Sequence, residues 1–155
     1  MPQVVLVCPQ IPPNTGNVAR TCAATETVLH LVGPLGFEMS DRYLKRAGLD
    51  YWPYVYWHYH DRFETFQAYQ QQQGGGGRLI GFSTKGQFNY LKYQFKHDDW
   101  LLFGAETTGL APSVLDLCTA TVYIPMTQPK VRSLNLSVSA ALGLFEARRQ
   151  LGYLD

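Results

Sequence analysis

Three short segments carry the side chains best suited to chemistry. The first, Asn14-Thr15-Gly16-Asn17, is followed by Arg20. The second runs Phe103-Gly104-Ala105-Glu106-Thr107-Thr108-Gly109-Leu110, and the third runs from Ile124-Pro125-Met126 to Arg132-Ser133-Leu134-Asn135-Leu136-Ser137. Each follows an apolar run and mixes glycine or proline with small polar residues. Glycine lets a ligand approach the backbone closely, and a helix N-terminus offers unpaired N–H groups to an anion. Arg20, read as lying about one turn into a helix, is placed to meet a phosphate bound there. Glu106 is open to two readings, a working carboxylate or a solvated loop acid. Ser133 and Asn135 suit the cap of a following helix.

The elements that must position these segments follow from apolar patterning. Val4-Val5-Leu6-Val7-Cys8 is a continuous apolar run, as expected of a strand buried on both faces. Val18 to Ala24 reads as a helix with Asn14 or Thr15 at its cap. Further strands are expected at Val28–Val32, Tyr54–Trp57, Leu79–Ser83, Trp100–Phe103 and Thr121–Ile124. Helices are expected from Arg42 to Arg46, from Arg62 to Tyr69, and over the last stretch, where Leu134, Val138, Ala141, Leu142 and Phe145 recur at helical spacing. Gln70 to Gln73 followed by Gly74 to Gly77 reads as a flexible surface loop. Alternating strands and helices indicate an α/β domain with a mainly parallel sheet and helices on both faces. Ligands of such sheets bind at the carboxyl ends of the strands, where all three segments fall.

Composition narrows the classes further. The 155 residues suit one domain, and 46% hydrophobic with 14% aromatic content supports a packed core. A net charge of +1 excludes a bulk-charge nucleic-acid binder but leaves room for a local basic patch. The three cysteines (Cys8, Cys22, Cys118) form no CxxC pair, and the four histidines show no ligand spacing, so no metal site is expected. No secretory leader and no apolar stretch of membrane-spanning length is evident, which suits a reduced, soluble, cytoplasmic protein. Neither a P-loop, a GxGxxG fingerprint nor a nucleophile elbow is present. The residues alone therefore give an α/β protein with a glycine-lined ligand site and one or two charged groups beside it.

Taken together, the three segments resemble in order and spacing the motifs of the SPOUT superfamily of RNA methyltransferases. They are most similar to the small, single-domain tRNA wobble-ribose 2′-O-methyltransferases. The resemblance spans nearly the whole chain. It includes Pro9 to Asn17, Arg46-Ala47-Gly48-Leu49-Asp50-Tyr51, Phe82-Ser83-Thr84-Lys85-Gly86, the three segments above and Arg149-Gln150-Leu151-Gly152-Tyr153. It implies one methyltransferase domain over residues 1–155, with a deep C-terminal trefoil knot and the cofactor site in about residues 79–155, an exception to unknotted connections. It further implies a homodimer, no metal, and S-adenosylmethionine held by backbone groups around Phe82, Gly104, Ile124 and Ser133.

The implied reaction is in-line attack of a ribose 2′-oxygen on the cofactor's methyl group, at cytidine or modified uridine 34 of tRNA, leucine isoacceptors included. Arg20, Asn14, Glu106 and Asn135 are the implied catalytic set. Arg20 would bind phosphate and stabilise the developing alkoxide, because a guanidinium does not surrender its proton at ordinary pH. Asn14 would order Arg20 and the first loop, and Glu106 would form the site floor or act as the base. Arg42, Lys45, Arg46, Lys130 and Arg132 are the candidate RNA contacts, suited to an anticodon loop with splayed bases. Thr108, Val138 and Phe145 depart from the family pattern, where Arg, Asn and Tyr are common. The alternatives are a ribosomal-RNA ribose methyltransferase and a non-catalytic knotted RNA-binding protein.

Overall fold

The continuous apolar runs become the inner strands of a single parallel sheet. The computed structural model describes residues 1–40, 42, 51–73 and 76–155. Among them are β1 (Gln3–Val7), β2 (Leu29–Val32), β3 (Trp57–His60), β4 (Leu79–Phe82), β5 (Phe88–Asn89), β6 (Trp100–Phe103) and β7 (Ala120–Tyr123). Their spatial order is β3-β2-β1-β6-β4-β7-β5, and every pairing is parallel. The helices are α1 (Pro12–Ala24), α2 (Phe63–Gln72), α3 (Pro112–Leu115) and α4 (Leu136–Gln150). No helix among the described residues is long and apolar enough to cross a membrane.

Strand alternation divides the apolar side chains between two cores. Val4 and Leu6 of β1, Leu101 and Phe103 of β6, and Ile80 and Phe82 of β4 join Val18, Ala19 and Cys22 of α1 and Leu136, Ala140 and Leu144 of α4. Val5, Val7, Leu79, Trp100 and Leu102 pack on the other side with Phe66 of α2 and Val114 of α3. Helices thus cover both faces, as the all-apolar strands require. Gly143 of α4 permits the close fit on the first face. A Cβ there would meet Phe82 Cζ at 2.7 Å and Phe103 Cζ at 3.0 Å.

Several local expectations are corrected. The strand sought at Tyr54–Trp57 lies at Trp57–His60, behind a 3-10 turn at Trp52–Tyr54. It is an edge strand that leaves Trp57, His58 and Tyr59 exposed, so no burial pattern marks its ends. Helix α1 starts at Pro12 with Ile11 as its N-cap, so Asn14 and Thr15 are buried inside its first turn rather than capping it. The Gln/Gly stretch is only partly a loop, because Gln70 to Gln72 complete α2. Gln70 is buried and donates to Gly77 O at 3.0 Å, while Trp100 Nε1 donates to Gly76 O at 3.0 Å. The two-residue β5 and the one-turn α3 carry no periodicity from which to foresee them. Of the helix expected over 42–46, only Arg42 is among the described residues.

The strand register also gathers three of the four histidines. His30 stacks on His58 across β2 and β3, with ring centroids 5.0 Å apart. Its Nδ1 lies 3.0 Å from His60 Nε2 and its Nε2 lies 2.6 Å from Gln3 Oε1. With Gln3 Oε1 accepting from His30 Nε2, His30 Nδ1 is left to accept from His60, which suits two neutral rings. Burial first, then the charges of His58 and His60, hold the His30 pKa down to about 3. His60 is lowered mainly by burial as well. The unfolded chain therefore binds protons near pH 6.5 that the folded chain refuses. Stability contributed here is complete above that value and is lost as pH falls toward 3. In urea titrations from pH 7 to 4, His30→Gln should flatten the acid slope by about 1.4 kcal/mol per pH unit, the value for one proton. Equal slopes in the two proteins would refute the assignment.

Candidate active site

The sheet order reverses between β1 and β6, and the loops leaving their carboxyl ends meet there. The chain leaves β1 through Cys8, whose φ of 55° lies in the left-handed region that residues with a side chain seldom adopt. Beyond this turn the N–H groups of Gln10 and Ile11 face the loop that follows β6. Glu106 of that loop receives them, Oε1 accepting from Gln10 N at 2.9 Å and Oε2 from Ile11 N at 2.7 Å. A carboxylate 95 residues downstream thus serves the start of α1, where its charge also suits the helix dipole.

Asn14 extends the same connection. Its Nδ2 donates to Glu106 Oε2 at 3.3 Å, and its Oδ1 accepts from Asn135 Nδ2 at 3.0 Å. Asn135 in turn caps α4, its Oδ1 accepting from Ser137 N at 2.8 Å and Ser137 Oγ at 2.6 Å. One hydrogen-bonded chain, Glu106–Asn14–Asn135–Ser137, therefore ties together all three segments singled out in the sequence. Asn14 orders the first loop but does not touch Arg20, contrary to the expectation that it would hold that arginine.

Beside this tie lies a cavity of about 460 Å³. Its wall includes Phe82, Gly104, Ile124 and Ser133, the four residues implied as cofactor contacts. Glu106, Thr108 and Arg132 also line it, and Lys85 joins them. In the sequence Lys85 stands only within a motif, and its place just after β4, at a strand's carboxyl end, is the signal for it. The loop after β6 folds tightly back on itself, Gly109 N donating to Ala105 O at 2.8 Å. Gly104 makes that return possible, since a Cβ there would stand 2.1 Å from Gly109 C and 2.2 Å from Leu110 N.

The donor set fits S-adenosylmethionine. Leu115, Ile124 and Leu136 offer an apolar wall for a flat base, and the glycine-backed loop exposes main-chain groups. Lys85 and Arg132 supply cations for a carboxylate. The volume falls in the range of small-molecule sites, about 300–1,000 Å³. Among the described residues no cluster of His, Cys, Asp or Glu could hold a metal ion.

The remaining candidates lie elsewhere. Because α1 begins at Pro12, Arg20 stands about 12 Å along its axis, rather than one turn in. It is exposed and does not line the cavity. Lys130 is exposed on the loop between β7 and α4, near Arg132 in sequence. Arg42 is exposed, while Lys45 and Arg46 lie outside the described residues.

Comparison with known proteins agrees with this geometry. A relative from Synechocystis sp. is 60% identical over 151 residues, 97% of each chain, and is provisionally named a tRNA (cytidine(34)-2′-O)-methyltransferase. A solved structure concerned with 2-OH methylation of C/U34 on tRNA superposes with a TM-score of 0.92 at 47% identity, covering 98% of this chain and 97% of that one. An AdoMet-bound rRNA methyltransferase from Sinorhizobium meliloti is 26% identical with a TM-score of 0.85, covering 97% of this chain and 56% of that one. Residues 1–145 match the family described as SpoU rRNA methylase. With its parallel sheet, its cavity at the strand ends and a match over most of its length, the chain belongs to the SpoU rRNA methylase family.

Proposed function

We propose that this chain is a tRNA 2′-O-ribose methyltransferase using S-adenosylmethionine. Its target is the wobble nucleotide, cytidine or modified uridine at position 34, the position named for its relatives. The observation that carries the reading is one cavity walled by the second and third motif segments and by the loop after β4, with the first segment tied to that wall through Asn14. Phe82, Gly104, Ile124 and Ser133 hold the cofactor, with Lys85 and Arg132 near its charged end. Bound there, S-adenosylmethionine supplies an electrophilic methyl group on a sulfonium centre.

The protein's part is alignment and charge. A positioned attacking group gains most of its rate from held geometry, so the Glu106–Asn14–Asn135 tie contributes by fixing the cavity wall. We assign those three residues to positioning, because their hydrogen bonds join loops. Arg20 grips phosphate and stabilises the alkoxide developing at the ribose oxygen. Lys130, Arg132 and Arg42 contact the anticodon loop, together with Lys45 and Arg46.

Arg20 lies outside the cavity of its own subunit, which supports a homodimer in which it serves the partner's site. An exposed apolar stripe on α4, Val138, Leu142 and Phe145, supports the same assembly, since large contiguous apolar patches mark contact surfaces. Two departures from the family pattern, Val138 and Phe145, fall on that stripe. A single domain with a deep C-terminal trefoil knot is the arrangement that the resemblance to the SPOUT superfamily supports. A tRNA substrate supports a cytoplasmic location.

The test is methyl transfer from labelled S-adenosylmethionine to unmodified tRNAs, leucine isoacceptors included, followed by digestion and mass spectrometry. The expected product is a 2′-O-methylated nucleotide at position 34. Transfer to ribosomal RNA alone would replace the substrate assignment, and cofactor binding without transfer to any RNA would refute the enzymatic one.

A further inference from the structure

Arg20 differs from the two ion-paired arginines, Arg78 and Arg149, in what holds it. Arg78 grips Asp99 with two bonds of 2.8 Å, and Arg149 grips Glu146 at 2.7 Å. Arg20 has no carboxylate and makes no hydrogen bond among the described residues. Its guanidinium carbon lies instead 4.7 Å from the centroid of the Tyr51 ring. That ring sits on a fixed base. Tyr51 O accepts from Tyr54 N at 2.8 Å, opening the 3-10 turn Trp52–Tyr54, and Trp52 packs into the core formed with α1.

The choice of partner has chemical consequences. A carboxylate would occupy the guanidinium fork and cancel its charge. An aromatic face contacts only the flat side of the group, so the N–H donors around its edge stay available to an anion. We propose that Tyr51 is a positioning residue for Arg20, holding the guanidinium in the orientation that meets RNA phosphate and ribose while leaving its charge intact. This rests on the reading that Arg20 acts on the RNA substrate.

The experiment compares Tyr51→Leu, Tyr51→Gln, Tyr51→Phe, Arg20→Ala and Arg20→Ala/Tyr51→Leu in single-turnover methyl transfer, with cofactor affinity and melting temperature measured alongside. Tyr51→Leu and Tyr51→Gln should each lower kcat/KM for tRNA about five-fold, in line with an exposed cation–π contact. Tyr51→Phe should keep nearly full activity, and cofactor affinity should be unchanged in all three. Added to Arg20→Ala, Tyr51→Leu should produce no further loss. Full activity of both Tyr51→Leu and Tyr51→Gln, or a loss that multiplies with that of Arg20→Ala, would overturn the proposal while leaving the methyltransferase reading intact. Full activity of Arg20→Ala itself would remove the role of Arg20, and the proposal with it.

Discussion

Gly104→Ala should abolish most S-adenosylmethionine binding while leaving the protein folded. The added methyl group would meet only backbone, with Gly109 C at 2.1 Å, Leu110 N at 2.2 Å and Gly109 O at 2.4 Å, so no flexible side chain can yield. Either the loop after β6 opens or β6 shifts. β6 is the less movable of the two, because it lies between β1 and β4 with Leu101, Leu102 and Phe103 essentially inaccessible to solvent. The loop therefore moves, and with it the cavity wall from Gly104 to Leu110. Overpacking of this kind costs about 1–3 kcal/mol of stability. The same displacement should weaken the cofactor by more than about ten-fold, since about 1.4 kcal/mol of lost fit suffices for that. Calorimetric titration with S-adenosylmethionine and a thermal melt together check the prediction. Unchanged affinity would show that the cofactor binds elsewhere.

That loop also shows where sequence reading succeeds and where it stops. The runs at Val4–Val7 and Trp100–Phe103 announced inner strands because burial on both faces leaves no polar alternation. The loops after them were legible for the same reason, since a ligand site in a parallel sheet lies at the strands' carboxyl ends. Partnership between loops was not legible. Asn14 resembles a helix cap, yet Ile11 caps α1 and the Asn14 side chain bonds to Glu106, 92 residues away, a bond that local spacing cannot encode. Misreading the cap also put Arg20 too near the helix N-terminus. The histidines gave no signal because only the β2–β3 register brings His30 to His58. The edge strand was misplaced for a related reason: a strand whose side chains are mostly exposed has no apolar pattern to read.

The tie among Glu106, Asn14 and Asn135 fixes one side of the site, but the cation proposed to work there is held on another surface by Tyr51. The chain thus presents a cavity and, apart from its lining, the Arg20–Tyr51 pair. In the proposed two-fold dimer the same two surfaces would meet reciprocally, each cavity facing the other subunit's Arg20. Heterodimers test that arrangement directly. When Arg20→Ala and Gly104→Ala chains are co-expressed with different tags and purified through both, each heterodimer holds one intact cavity facing one intact Arg20. It should recover about half of wild-type activity, one working site of the two that symmetry provides. The parent homodimers lack either every Arg20 or every sound cavity, and both should stay near background. If Arg20 instead serves its own subunit, no site in the heterodimer is complete and activity remains at background. If no doubly tagged species forms, the chain is not a dimer, and the cavity must obtain its cation from Lys85 or Arg132, which already line it.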